Sequence, residues 1–391
     1  MMATTTPQPA PTALTGVTLL AVASLTVMAN ATIAPSLPAL RDHFAGTAAI
    51  GMLVGLVMTL PSLSVVLTGA VAGILCDRVG RRPVLLFAMV LYGIAGASGL
   101  FAQTIDQILI GRIFLGVANA GVMTATQALI ADLYQGAARE RFAGSQSSAM
   151  AVGGIVFLST GGLLASIDWR YPFLLYATAL FLLPLVLMNL PEPVRAARSA
   201  LDADEPFPWR FVIGIASLAG FGMLTFYMIP VKLPFYLREL GVASPAIAGL
   251  GIASCTVTSA LTSFFFRSIK RDLSPEAMYA IAFTIMAVGY AVIAGAPNAW
   301  IAVGGVTFSG LGLGLLMPNQ VVWLMSRTPA AARGRAAGIM TTAIFLGQFL
   351  SPLYSGPLAE TTSLATAYGV TAAALAIVAA TMATLARVRH R

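Results

Sequence analysis

The chain is 391 residues long, 58% hydrophobic and only 9% charged, with a formal net charge of +8 and a mean hydropathy of +0.87. Soluble domains carry about 25% charged residues, so the composition excludes a water-soluble enzyme or binding domain and places the chain in a bilayer. The positive charge does not point to nucleic acid, because the arginines are scattered in short loops between apolar runs instead of gathered on one wet face.

Apolar runs long enough to cross the hydrocarbon, about 20 residues, recur twelve times, at 14–36, 48–75, 83–102, 106–132, 142–165, 171–190, 210–236, 243–266, 276–295, 298–325, 334–358 and 363–386. The first follows a tail, residues 1–13, without the positive stretch of a cleaved signal peptide, so it is expected to stay as a spanning helix. The second and third are joined through GAVAGILCDRVGRRPVLL, Gly69 to Leu86, where Asp77, Arg78, Arg81 and Arg82 sit between apolar stretches. Lipid admits charge only at its edges or against a partner, so this is a short hairpin at the membrane surface. A carboxylate at Asp77 can cap the positive N-terminal end of a neighbouring helix or pair with Arg81. The fourth run contains Arg112, which costs at least about 2.5 kcal/mol in hydrocarbon unless it faces a cavity or a partner. Lys232, near the outer end of the seventh run, is expected to snorkel to the interface. The tenth and eleventh runs carry breakers, Pro318, Pro352 and Pro357.

Between the sixth and seventh runs lies the longest polar stretch, PEPVRAARSALDADEPFPW. It is expected to be a linker, 191–209, dividing a bundle over 14–190 from a second over 210–386, which a short tail, 387–391, follows. The halves repeat at an offset of 194: ARERFAG (Ala138 to Gly144) matches ARGRAAG (Ala332 to Gly338), and GVANAGVM (Gly116 to Met123) matches GLGLGLLM (Gly310 to Met317). The repeat weakens near RSIKRD, Arg267 to Asp272, where an arginine stands in place of Asp77. Two repeated halves suit a molecule in which one half rocks against the other around a central site. With the N-terminus inside, seventeen of the 22 Lys and Arg fall on the inner side, Arg41, Arg170 and Arg238 on the outer, and Arg112 and Lys232 within runs. Both termini are therefore expected in the cytoplasm.

The spacing Gly73, Asp77, Arg78, Gly80, Arg81, Arg82 closely resembles the loop between helices 2 and 3 of the major facilitator superfamily, a large class of solute transporters, and the resemblance covers residues 14 to 386. It implies an all-α membrane protein of twelve transmembrane helices in two six-helix pseudo-repeat bundles. It also implies that the loop forms a cytoplasmic latch with the inner end of helix 4, where Asp132 stands, and with the start of helix 11, beside Arg333 to Arg335. Arg112, Gly116 and Gly121 resemble the family's helix 4 motif, whose arginine is linked to proton coupling in exporters; the usual glutamine before the glycine is Leu115 here. Helix 5 keeps Gly161, Gly162, Trp169, Arg170, Pro172 and Phe173 of the drug exporters, with Phe157 and Leu158 replacing their glycine-proline pair. By the same resemblance helices 1, 4, 7 and 10 line a central cavity. The candidates there are Asn30, Asn119, Gln127, Tyr227, Asn319 and Gln320, with Gln146 and Gln348 from helices 5 and 11.

None of the 14 acids falls in the middle third of a run, where proton-driven transporters often place a carboxylate. Coupling to protons would then fall to Asp77, Asp132, Asp42 or Glu360 near the surfaces, or proceed through the substrate itself. A cavity of amides, Met and Phe suits a neutral or amphipathic organic molecule. The expectation is a secondary active transporter working by alternating access, an exporter with proton antiport. The alternative is a metabolite uptake carrier or facilitator without antiport, and the remote alternative a receptor or enzyme. No nucleophile and base pair or phosphate-binding loop supports an enzyme. Cys76 and Cys255 read as packed apolar residues, not as a disulfide or zinc framework, so neither metal nor cofactor is expected. The partners expected are the small-molecule substrate, protons and membrane lipid, for a monomer in a bacterial inner membrane.

Overall fold

The computed structural model describes residues 11–192, 207–329 and 332–389. Most of the expected N-terminal tail, residues 193–206 of the expected linker, and residues 390 and 391 of the C-terminal tail lie outside the described residues. Twelve helices among those described are long and apolar enough to cross a membrane: α1 (Ala13–His43), α2 (Ile50–Arg78), α3 (Arg81–Leu100), α4 (Ile105–Leu133), α5 (Gly136–Ala165), α6 (Tyr171–Asn189), α7 (Trp209–Glu239), α8 (Pro245–Phe264), α9 (Pro275–Ala294), α10 (Ala299–Ser326), α11 (Arg333–Thr361) and α12 (Leu364–Val388). Each coincides with one apolar run. The differences sit at polar ends: α1 runs on through a 3-10 turn at Ala34–Ser36 to His43, and α5 begins at Gly136, taking in ARERFAG. A helix emerging into water keeps its backbone hydrogen bonds without needing apolar side chains, so hydropathy underestimates its length.

Local chemistry sets several of the starts. Thr104, Ser244, Ser274 and Asn298 each accept a hydrogen bond from a backbone N–H in the first turn of α4, α8, α9 and α10, filling one of the donors a helix leaves unpaired. Pro245 and Pro275 follow two of these caps, where a missing N–H costs nothing. Pro61, Pro230, Pro234, Pro318, Pro352 and Pro357 lie inside helices instead of ending them.

Helices α1–α6 and α7–α12 form two bundles, and the sequence repeat returns as repeated contacts. A Cβ on Gly116 of α4 would lie 2.5 Å from the Pro61 carbonyl oxygen of α2, and one on Gly310 of α10 would lie 2.4 Å from that of Cys255 in α8. Pro61 and Cys255 are themselves 194 apart, so the same backbone-to-backbone approach is built in each half from the small residues that membrane helices use to pack closely. Tyr92 of α3 donates to the Leu25 carbonyl of α1, and Tyr290 of α9 donates to that of Thr225 in α7. Beside them Tyr176 and Tyr368 complete matching ring pairs, with centroids 6.0 and 5.7 Å apart.

The halves meet on the face opposite the termini. There a Cβ on Gly55 of α2 would come within 2.6 Å of Pro352 in α11, and Gly162 and Gly249 bring α5 against α8. Arg238 of α7 donates to Asp42 of α1 across the same seam. Toward the face that carries the termini, a Cβ on Gly69 or Gly73 of α2, or on Gly334 or Gly338 of α11, would meet nothing within 4 Å. The two bundles thus form a wedge, closed on one face and open on the other.

Candidate functional site

The charged hairpin sits at the open end of the wedge. Gly80 has φ 125°, a left-handed region that disfavours side chains, and this reversal starts α3 at Arg81. The guanidinium of Arg81 turns back to Asp132 at the end of α4, Nε to Oδ2 2.9 Å, and lies 3.9 Å from Asp77. Asp77, Arg81 and Asp132 are therefore together at the inner ends of α2, α3 and α4. The acid at the exposed N-terminus of α3 is not Asp77 but Glu192. Its carboxylate accepts from the backbone N–H groups of Arg81 and Arg82 at 2.8 and 2.7 Å, placing negative charge where the helix dipole is positive. Arg82 donates back to the Leu187 carbonyl of α6. Arg78 is exposed at the end of α2. On the other half, Arg333 donates to the Thr328 carbonyl, and Arg335 lies over the rings of Phe207 and Trp209, 4.6 and 4.4 Å from their centroids. A Cβ on Gly73 would meet nothing within 4 Å, on α11 or elsewhere.

Arg112 is 1% exposed and faces the interior of the first bundle. The partner that its cost in hydrocarbon calls for comes from α6. Its guanidinium lies over Phe173 and Tyr176, 4.8 and 4.7 Å from the ring centroids. Nη1 donates to the Tyr176 hydroxyl at 2.9 Å, which donates on to the Ala29 carbonyl of α1 at 3.2 Å. Nη2 has no protein partner. The equivalent position in the second half, 194 further on, is Val306, which is equally buried. The cation is thus an addition to an architecture that closes without it.

A cavity of about 530 Å³ lies in the wedge, lined by α2, α4 and α11 through residues such as Val65, Ala70, Met123, Thr124, Thr342 and Phe345. The expected lining came from α1, α4, α7 and α10, and none of the eight polar candidates lines this cavity. Asn30, Ser62 of α2 and Gln348 of α11 instead form a buried knot across the two halves: Asn30 Nδ2 donates to Ser62 Oγ at 2.8 Å and to Gln348 Oε1 at 3.1 Å, and Ser62 donates to Gln348 at 2.8 Å. Tyr227 of α7 is half-buried beside Asn30. Asn119 is fully buried with both amide atoms lacking a protein partner. Asn319 donates to the Pro275 carbonyl of α9, and Gln320 points inward onto Met317. Gln146 is buried in α5 and Gln127 is exposed on α4. Lys232 is 8% exposed, against Gly356 of α11 instead of the interface, and the Glu360 carboxylate lies over Gly51 of α2. Ser62, Tyr176 and Glu192 escaped the sequence reading; only Glu192, an acid just beyond an apolar run, offered a signal.

Among the described residues no group of three or more His, Cys, Asp or Glu could hold a metal ion. A family model described as Major Facilitator Superfamily matches residues 19–242 and 215–391. The bacillibactin exporter of Bacillus subtilis (strain 168) is 31% identical over 153 residues, 37% of each chain. The tetracycline resistance protein, class C, of Escherichia coli is 27% identical over 349 residues, 86% of this chain and 87% of its own. The crystal structure of a D-xylose-proton symporter superposes with a TM-score of 0.76 at 20% identity, covering 94% of this chain and 96% of that one.

Proposed function

We propose, for a chain that belongs to the Major Facilitator Superfamily, that it exports a small amphipathic organic compound by alternating access in exchange for protons. The protein is an integral multi-pass membrane transporter of that superfamily, and its substrate is a small molecule. The observation that carries the finer reading is the wedge. Its cavity is walled by Val, Ile, Ala, Met and Phe with threonine hydroxyls between them and Arg335 at one end, and it opens on the face where the arginines crowd. By the excess of Lys and Arg that face is cytoplasmic, in the inner membrane of a bacterium, so the cavity collects its cargo from inside the cell. The partial likeness to a bacillibactin exporter and the fuller one to a tetracycline resistance protein support export. One chain suffices, with bundles over 14–190 and 210–386 and a linker over 191–209.

Asp77, Arg81 and Asp132 serve as the latch that fastens the hairpin to α11 when the cytoplasmic side closes. In the open wedge Arg81 holds Asp132 within its own half. Arg112 and Gly116 serve the coupling. One observation favours the alternative of a carrier without antiport: the buried carboxylate among the described residues is Glu276, at the start of α9, and none lies at mid-membrane. Efflux of fluorescent amphipathic dyes from proteoliposomes under an imposed pH gradient tests the proposal. Export should rise when the outside is acidified, and a rate indifferent to the gradient with neutral dyes would leave the uncoupled carrier.

A further inference from the structure

We propose that the cleft between α2 and α11 is a lateral entrance through which this protein takes an amphipathic anion, an apolar body with one acidic headgroup, out of the cytoplasmic leaflet. The inference rests on the orientation and export reading above and names the class and route of the cargo. Depth is the first argument. At about 1.5 Å of rise per residue, Val65 to Ala70 lie roughly 12–20 Å from the cytoplasmic end of α2 at Arg78. By the same rise, Thr342 and Phe345 lie about 14–18 Å from the start of α11 at Arg333. Half a hydrocarbon core is about 15 Å, so the cavity spans one leaflet from headgroup level to the bilayer middle. Its volume, about 530 Å³, falls in the range that holds a drug-sized molecule.

Shape is the second. At their far ends α2 and α11 close on each other at Gly55 and Pro352, and toward the cytoplasm they part at Gly69, Gly73, Gly334 and Gly338. The lips of the gap are apolar and exposed, Leu67 and Val71 on α2 and Leu346 on α11, so an acyl or aromatic body can slide between them without leaving an apolar medium.

Charge is the third. Among the described residues Arg335 is the one charged residue lining the cavity, and no acid among them lines it. It lies about 3 Å along α11 from its start, stacked on Trp209 and Phe207, the aromatic residues that mark a membrane interface. The two rings, 4.7 Å apart and edge to face, lie to one side of the guanidinium and leave N–H donors on its other side for a carboxylate, sulfonate or phosphate. A cationic amphipath would meet this arginine at the mouth.

The test uses the full-length protein in phosphatidylcholine nanodiscs, with 11-(dansylamino)undecanoic acid dissolved in the bilayer and energy transfer from Trp209 as the readout. The acid should bind roughly tenfold more tightly than its methyl ester, and Arg335→Gln should erase that difference, as expected for a charge-assisted hydrogen bond. Gly338→Phe, where an added Cβ meets nothing within 4 Å, should fill the cleft and block both probes at an unchanged melting temperature. Equal binding of acid and ester, or unaltered binding in Gly338→Phe, would overturn the proposal. So would a water-soluble short-chain dansyl acid binding as well with the same dependence on Arg335, since the anion would then arrive from water. Because binding is read without transport, failed export with intact binding would count against the export reading and not against this one.

Discussion

Replacing Arg112 by methionine separates a structural arginine from a working one. The substitution removes a hydrogen bond between a charged donor and the Tyr176 hydroxyl, worth about 1.5–3 kcal/mol, and cation–π contacts with Phe173 and Tyr176, worth about 1–2 kcal/mol together. It also removes a buried cation that costs about 2.5–3.5 kcal/mol in hydrocarbon, and it leaves an apolar side chain at a position whose counterpart in the other half, Val306, is also apolar and buried. The terms nearly cancel. Thermal unfolding in detergent should therefore shift by no more than about 5 °C, while transport in proteoliposomes should fall by an order of magnitude or more, like the loss of other single charge-bearing contacts. Arg112→Lys should recover only part of it, because lysine cannot stack flat between two rings and donate in plane. A melting temperature lowered by more than about 10 °C would make Arg112 a clamp of α6 on α4, and full transport by the methionine variant would make it a spectator.

Asp77→Asn should move the balance between inward-open and outward-open forms, read as altered distances between spin labels on the cytoplasmic ends of α2 and α11; unchanged distances with normal transport would reduce the hairpin to a topology signal. Glu192→Gln should weaken the start of α3 by about 0.5–1 kcal/mol, visible as faster hydrogen exchange at the Arg81 and Arg82 amides, and identical exchange would show that the carboxylate is not held there in the membrane. Gly116→Val and Gly310→Val should each destabilise by about 1–3 kcal/mol, since both push side chains into backbone carbonyls. Two mild effects in thermal melts would contradict the paired contacts.

The helices were legible because hydrocarbon imposes a length and excludes charge, so apolar runs and their loops carry the fold. The hairpin was legible because its acid, glycine and arginines are neighbours in sequence. Contacts between distant segments were not. Gln348 meets Asn30 and Ser62 across 318 and 286 residues, and no local pattern pairs an amide with one of many serines. The partners of Arg112 hid in YPFLLY, where Phe173 and Tyr176 look like ordinary apolar filling. The lining of the wedge cavity differs from the expected one for a conformational reason: a wedge opened toward one face exposes the flanks of α2 and α11, while Asn119 of α4 and Asn319 and Gln320 of α10 stay buried.

The position of Tyr176, 64 residues downstream of Arg112, bears on how the protein is made. When α4 leaves the ribosome, the rings and hydroxyl that shelter its arginine have not been synthesised, and an isolated α4 would carry a bare cation into lipid. The helix should wait at the insertion machinery, or lie shallow with its arginine at the surface, until α6 arrives. The first bundle is then released as a set of six, and a nascent chain halted before Tyr176 should leave α4 open to extraction from the membrane.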